Sequence, residues 1–128
     1  MPNLKVLYVD DEADIREVAA MSLEMDPDIE VRTAGSGAEA LGLLERGDWR
    51  PHLLLLDVMM PTMDGPGLLK EIRSRPAVAD IPAVFITARA HPHERQQFIS
   101  AGAVEVIAKP FDPLTLAAEV RAVAERAG

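Results

Sequence analysis

The sequence Leu53-Leu54-Leu55-Leu56-Asp57 joins an unbroken apolar run to a carboxylate. A short apolar run without alternation is typical of a strand that is covered on both faces. Such strands occur in parallel sheets that have helices packed on both sides. This stretch therefore predicts an α/β fold in which Asp57 lies just beyond the carboxyl end of a strand.

Similar β-rich runs recur along the chain, and amphipathic segments separate them. The predicted strands cover residues 4–9, 29–33, 53–56, 83–86 and 104–108. Helix-start signals stand between them: a capping box over residues 36–39, prolines at 66 and 92, and Asp112-Pro113 before the last helix. Strands that alternate with helices imply a parallel sheet with right-handed crossovers. We predict a doubly wound, five-stranded parallel α/β domain.

Length and composition exclude several classes of protein. The 128 residues predict one domain over residues 1–128, and since the chain ends soon after the last predicted helix we expect no output domain. The absence of cysteine excludes disulfide scaffolds and thiol chemistry and suits the cytoplasm, where we expect the protein. The apolar runs are too short to span a bilayer. A net charge of −8 disfavours nonspecific binding to nucleic acid, so we expect neither membrane nor nucleic acid as a partner.

Polar side chains follow four of the five predicted strands. Asp10 and Asp11 follow the first strand, and the third, fourth and fifth strands are followed by Asp57, Thr87 and Lys109. In an open parallel sheet, ligands bind beyond these carboxyl ends. Three crowded carboxylates are costly without a cation, and an all-oxygen site suits Mg²⁺. A carboxylate beside Mg²⁺ can attack phosphorus to form an aspartyl phosphate, while an ammonium and a hydroxyl bind the phosphoryl oxygens.

Each of these residues also has an ordinary structural explanation. Asp11 could cap the first helix, Thr87 could cap the fourth, and Lys109 could be a surface charge. Capping, however, does not require Lys109 and Asp57 to face each other. The joint placement of the residues is therefore what indicates chemistry.

Four motifs together resemble the receiver domains of bacterial two-component response regulators. They are VDDE at 9–12, LDVMMPTMDG at 56–65, TA at 87–88 and KPF at 109–111. The resemblance covers essentially the whole chain and implies a flavodoxin-like fold with strand order 2-1-3-4-5. It also implies that the protein is no enzyme of external metabolites, although it assists its own phosphorylation and dephosphorylation.

The resemblance assigns a role to each residue at the predicted site. Asp57 would be the phosphoacceptor, and Thr87 and Lys109 would bind the phosphoryl group. The Mg²⁺ ligands would be Asp10, Asp11, Asp57 and the backbone carbonyl of Met59. The Lys109–Pro110 bond would be cis. The partners implied are a histidine kinase or histidine phosphotransfer protein as donor, which docks near Asp14, Ile15 and Val18, and a downstream target protein.

The chain departs from the receiver pattern at Val106, where the family usually carries an aromatic residue that moves with the threonine. Phe111 could replace it, although ordinary core packing explains Phe111 better. Met59 and Arg89 lie two residues beyond Asp57 and Thr87, and in the family these positions tune phosphoryl lifetime. His91 and His93 flank a proline without supporting ligands, and we expect them to be exposed loop residues.

Three other functions are alternatives to a phosphoacceptor that signals by changing shape. A phosphatase with its aspartate after the first strand would need Asp-x-Asp, which Asp10-Asp11-Glu12 fits badly. A phosphorylation-independent binding module is favoured by Val106. A flavin carrier is disfavoured, because clustered carboxylates would repel the cofactor's phosphate.

Overall fold

The computed structural model describes residues 3–127, in which five strands alternate with five helices. The strands are β1 (Leu4–Val9), β2 (Ile29–Ala34), β3 (Leu53–Asp57), β4 (Ala83–Thr87) and β5 (Glu105–Ala108). The helices are α1 (Ala13–Glu24), α2 (Gly37–Glu45), α3 (Gly65–Arg73), α4 (Pro92–Ser100) and α5 (Leu116–Ala127). None of these helices is long and apolar enough to cross a membrane.

The five strands form one parallel sheet in the order β2-β1-β3-β4-β5. This confirms the predicted fold and strand order. The reversal of strand order lies between β1 and β3, and their carboxyl ends form a crevice there. Every residue of β3 is buried, as its unbroken apolar run predicts.

Two apolar cores cover the two faces of the sheet. On one face, Leu41 of α2 and Ile72 of α3 pack with the β3 residue Leu54. On the other face, Leu23 of α1 and Val120 of α5 pack with neighbouring strand residues. The apolar stripes of these four helices therefore face inward and pack on the two sides of the sheet.

The predicted helix starts are largely confirmed. The Ser36 hydroxyl accepts a hydrogen bond from the Glu39 amide at 3.1 Å, and the Asp64 carboxylate accepts one from the Gly67 amide at 2.8 Å. Pro66 and Pro92 lie in the first turns of α3 and α4, where a missing amide proton costs nothing.

The element boundaries differ from the sequence prediction at several points. Asp57 and Thr87 are the last residues of their strands, because both still pair with neighbouring strands. Helix α5 begins at Leu116, since Asp112 first organises a turn in which its carboxylate accepts from the Leu114 amide at 2.9 Å. Strand β5 begins at 105, and β2 extends to 34.

The amino ends of the strands are closed by packing and hydrogen bonds. The indole of Trp49 is buried, donates from Nε1 to Glu30 at 2.6 Å, and lies 4.7 Å beneath the Arg32 guanidinium. His52 accepts from the Lys5 amide through Nδ1 at 2.9 Å. This end of the sheet is thus occupied by structural contacts, and the carboxyl end is left for chemistry.

Candidate functional site

The carboxyl ends of β1, β3 and β5 bring three charged side chains into direct contact. The Lys109 ammonium lies 3.0 Å from Asp10 Oδ2 and 3.1 Å from Asp57 Oδ1. Asp10 is 0% exposed and Asp57 is 3% exposed, so two buried carboxylates share one cation. The expectation that Lys109 faces Asp57 is therefore confirmed.

Asp11 adds a third carboxylate to this group. One oxygen from each of Asp10, Asp11 and Asp57 lies within 4.8 Å of the others, and Asp11 is exposed to solvent. Three carboxylates and one ammonium leave two negative charges uncompensated. A hard divalent cation such as Mg²⁺, which binds through one or two carboxylates and keeps its waters, fits this donor set.

Both oxygens of the Asp10 side chain are held by the protein. Oδ1 accepts from the Glu12 amide at 3.0 Å, and Oδ2 accepts from the Tyr8 hydroxyl at 3.0 Å as well as from Lys109. The backbone carbonyl of Asp10 accepts from Arg16 Nη1 at 2.8 Å. The structural explanation of Asp11 as a helix cap fails, because Glu12 is the N-cap of α1.

Tyr8 and Arg16 were not among the predicted site residues. A signal for Tyr8 is present in the sequence, since side chains two positions apart on a strand lie on the same face. Arg16 lies one turn into α1 and reaches back to the end of β1. No spacing rule distinguishes it from an exposed helix arginine.

Thr87 ends β4, next to β3 and β5, and its side chain is buried. Its hydroxyl accepts from the Arg89 amide at 3.0 Å, and its carbonyl accepts from the Lys109 amide at 2.8 Å. It does not cap α4, whose N-cap is His91. The Lys109–Pro110 bond is cis, as the resemblance implies.

The charges of the site shift the pKa values of its members. Burial raises the pKa of Asp57 from 3.8 to about 6, and the repulsion of Asp10 adds to it, against the opposing hydrogen bond from Lys109. Burial opposes the charge of Lys109, but the hydrogen bonds to Asp10 and Asp57 outweigh it and raise its pKa. Lys109 therefore stays positively charged, while Asp57 gives up its proton less readily than an exposed aspartate.

Comparison with known proteins places this geometry in a family. The sequence matches the response regulator receiver domain over residues 6–121. The chain belongs to the response regulator receiver domain family. In structure it is similar to the receiver domain of the Francisella response regulator 1452, with a TM-score of 0.85 and 27% identity over 98% of this chain and 100% of the other. The chemotaxis protein CheY4 of Vibrio cholerae is similar with a TM-score of 0.84 and 33% identity, over 94% of this chain and 98% of CheY4.

Curated relatives extend the comparison to longer proteins. The probable transcriptional regulator ycf27 of Pyropia yezoensis is 41% identical over 123 residues, which are 96% of this receiver domain and 48% of ycf27. This chain thus spans about half the length of that relative.

Gly65 begins α3 directly behind the phosphoacceptor candidate. Its amide donates to the Val58 carbonyl at 3.0 Å, and a Cβ at this position would lie 2.6 Å from the Asp57 carbonyl oxygen. Any larger residue here would force the backbone at the end of β3 to shift, because the approach is between two backbones. The same loop carries Met59, whose side chain is 69% exposed. The assignment of its carbonyl as a metal ligand stays a prediction.

We expect Gly65→Ala to lower the free energy of unfolding by about 1–3 kcal/mol, since the new methyl must displace backbone at the end of β3. Chemical denaturation measures the change. The control is Gly42→Ala in the interior of α2, where an added Cβ meets nothing within 4 Å. This control should stabilise the domain by about 0.5–1 kcal/mol. Equal effects of the two substitutions would contradict the close approach.

In Mg²⁺-free buffer we expect the contribution of Asp57 to stability to fall as the pH rises from about 4 to about 6. The pKa of Asp57 is raised in the folded state, so protonation favours folding: the contribution is complete below 3.8 and is lost through about 6. Thermal unfolding across this range, compared between wild type and Asp57→Asn, isolates the carboxyl. Identical pH profiles of the two proteins would refute the shift.

Val106 and Phe111 lie beside two grooves in the surface. Val106 pairs with Phe85 in the sheet, and a groove of about 530 Å³ opens next to it between β5 and α5. Phe111 is half-buried against the core on the α1–α5 face, which agrees with ordinary packing. His91 and His93 are exposed, as expected, but the expectation of a loop was wrong for His93, which lies in the first turn of α4 just after the N-cap His91.

Proposed function

We propose that this receiver domain accepts a phosphoryl group on Asp57, in a Mg²⁺-dependent reaction, and signals through a conformational change to a target protein. The donor is a phosphohistidine on a histidine kinase or a phosphotransfer protein. The observation that carries this proposal is the 3.1 Å contact between the buried Asp57 carboxylate and Lys109, with Asp10 and Asp11 beside it.

The reaction exchanges one bond to phosphorus for another. A carboxylate oxygen of Asp57 attacks the phosphorus, and the bond from phosphorus to the donor's imidazole breaks with its electron pair left on nitrogen. Lys109 neutralises a phosphoryl oxygen, and Thr87 donates a hydrogen bond to another. When bound by Asp10, Asp11, Asp57 and the Met59 carbonyl, Mg²⁺ would withdraw charge from the phosphoryl oxygens.

The donor docks beside this pocket. A groove of about 380 Å³ runs from Asp14, Ile15 and Val18 on α1 to Lys109 and Phe111. Because Lys109 lines both the groove and the pocket, a helix laid in the groove brings its phosphohistidine close to Asp57.

Phosphorylation reorganises the loops after β3 and β4 through Thr87, whose hydroxyl oxygen accepts from the Arg89 amide and whose hydroxyl proton is then donated to a phosphoryl oxygen. Its hydroxyl then rotates, and the change reaches the surface near α4. The domain turns over no external metabolite, acts in the cytoplasm, and passes its signal to a partner. By likeness to the probable transcriptional regulator ycf27, the response is a change in transcription.

Intact-mass measurement after incubation with Mg²⁺ and acetyl phosphate tests the proposal. We expect one added phosphoryl group, which is lost when EDTA replaces Mg²⁺ during the incubation. The proposal is rejected if the protein gains no mass with acetyl phosphate and also gains none with a phosphorylated cognate kinase.

A phosphorylation-independent binding module is the second candidate, and the aliphatic Val106 beside its groove favours it. Partner affinity that is unchanged by beryllofluoride would support it. A phosphatase that uses the aspartate after β1 is disfavoured, because both Asp10 oxygens already accept hydrogen bonds from the protein. Multiple turnover of an aryl phosphate would be its signature.

A further inference from the structure

Tyr8 is a buried tyrosine whose hydroxyl makes a polar contact at the site. It is 0% exposed, and its ring packs in the core on the α1–α5 face of the sheet. Its hydroxyl donates to Asp10 Oδ2 at 3.0 Å. A phenylalanine would fill the same space without this donor, so the hydroxyl adds a hydrogen bond that the core packing does not need.

The oxygen that Tyr8 binds is also bound by Lys109. Asp10 Oδ2 accepts from the Tyr8 hydroxyl and from Lys109 Nζ, both at 3.0 Å, while Lys109 also donates to Asp57. Tyr8 is fixed within β1, two residues from Asp10, whereas Lys109 sits at the end of a flexible side chain after β5. Of the two donors, only Lys109 can change partners.

In the proposed reaction Lys109 changes its hydrogen-bond partner. When Asp57 carries a phosphoryl group, the ammonium turns toward a phosphoryl oxygen and loosens its bond to Asp10. Asp10 is fully buried, and a buried carboxylate that loses a charged donor pays a large desolvation penalty unless another donor stays. The Tyr8 hydroxyl is that remaining donor on Oδ2.

We propose that Tyr8 is a positioning residue that holds Asp10 in place while Lys109 transfers from Asp10 to the phosphoryl group on Asp57. The inference rests on the proposed function of Asp57 and assigns a task to a residue outside the family motifs. It makes Asp10 and Tyr8 the stationary part of the site, and Lys109 the mobile part.

Binding of beryllofluoride, which mimics a phosphoryl group on a carboxylate, tests this inference with Tyr8→Phe. We expect the affinity for beryllofluoride at saturating Mg²⁺ to fall about tenfold, as loss of a hydrogen bond to a charged group predicts. The affinity for Mg²⁺ alone, measured by titration calorimetry, should change less than about threefold, because Lys109 keeps its place on Asp10 in that titration.

Ser22→Ala is the matched control. It also removes a buried hydroxyl, which donates to the Val18 carbonyl within α1 and does not contact the site. Both affinities of this variant should equal those of wild type, even where the unfolding free energy falls as much as in Tyr8→Phe. Unchanged beryllofluoride affinity in Tyr8→Phe, or an equal loss of both affinities, would overturn this inference but leave the proposed function standing. Failure of the wild type to bind beryllofluoride would overturn the proposed function, and this inference with it.

A second measurement needs no variant. Tyr8 is the only tyrosine of the chain, so ¹³C labelling of the tyrosine ζ carbon gives a single NMR signal. We expect beryllofluoride to shift this signal further than Mg²⁺ alone does, because Lys109 then leaves the oxygen that it shares with the hydroxyl. A signal that moves with Mg²⁺ and not with beryllofluoride would contradict the transfer.

Discussion

Asp57→Asn is expected to lose the phosphoryl adduct completely. The substitution keeps the shape of the side chain but removes the oxygen nucleophile, and an amide nitrogen does not replace it. The other buried carboxylate, Asp10, is not expected to take over, because hydrogen bonds from Tyr8, Lys109 and the Glu12 amide hold both of its oxygens in place. Intact mass after incubation with Mg²⁺ and acetyl phosphate gives the result directly.

Asp64→Asn is the control for this loss. Asp64 lies on the same loop, is exposed, and caps α3 through the Gly67 amide. Asparagine is an equally good N-cap, so this variant should fold as wild type and form the adduct in full. An adduct of wild-type yield in Asp57→Asn would show that another residue is the acceptor.

Lys109→Ala is expected to affect both stability and chemistry. Its ammonium is the cation between two buried carboxylates, so its removal should lower the free energy of unfolding by about 3 kcal/mol in Mg²⁺-free buffer. Added Mg²⁺ should restore part of this loss. The rate of phosphorylation should fall by at least about tenfold, because a phosphoryl oxygen loses its charged partner. Denaturation curves and time courses of adduct mass measure the two effects.

Lys70→Ala is the control for the loss of one positive charge without the loss of the contacts to Asp10 and Asp57. Lys70 is exposed on α3, and its loss changes the net charge by the same amount. Its stability and phosphorylation rate should stay close to those of wild type. If Lys109→Ala behaved like this surface variant, the contacts of the ammonium with Asp10 and Asp57 would contribute neither to the free energy of unfolding nor to the phosphorylation rate.

The meeting of Asp57 and Lys109 was predictable because parallel strands end at one edge. Identifying 53–56 and 104–108 as strands of one parallel sheet places the residues after them at the same edge of that sheet. Only the order of strands was needed in addition, and it came from the family resemblance. The long-range geometry of the site thus follows from the hydrophobic pattern, the rule for parallel strands and the strand order that the resemblance implies.

Contacts within the site were harder to predict than its location. The hydrogen bond from Tyr8 to Asp10 depends on the orientation of a ring inside the core, and a pattern of apolar residues does not encode that orientation. The predicted start of α5 was wrong for a related reason. Asp112-Pro113 is a good helix start, but the Asp112 carboxylate satisfies the Leu114 amide in a turn that delays the helix to Leu116.

Trp49, the only tryptophan, lies at the amino end of the sheet under Arg32 and hydrogen-bonded to Glu30. Its fluorescence emission therefore reports the loss of the native fold, and we expect it not to change when Asp57 is phosphorylated at the opposite end of the sheet. Stability and chemistry can consequently be followed separately on one sample, with the intrinsic emission as the folding signal and the mass of the adduct as the chemical one.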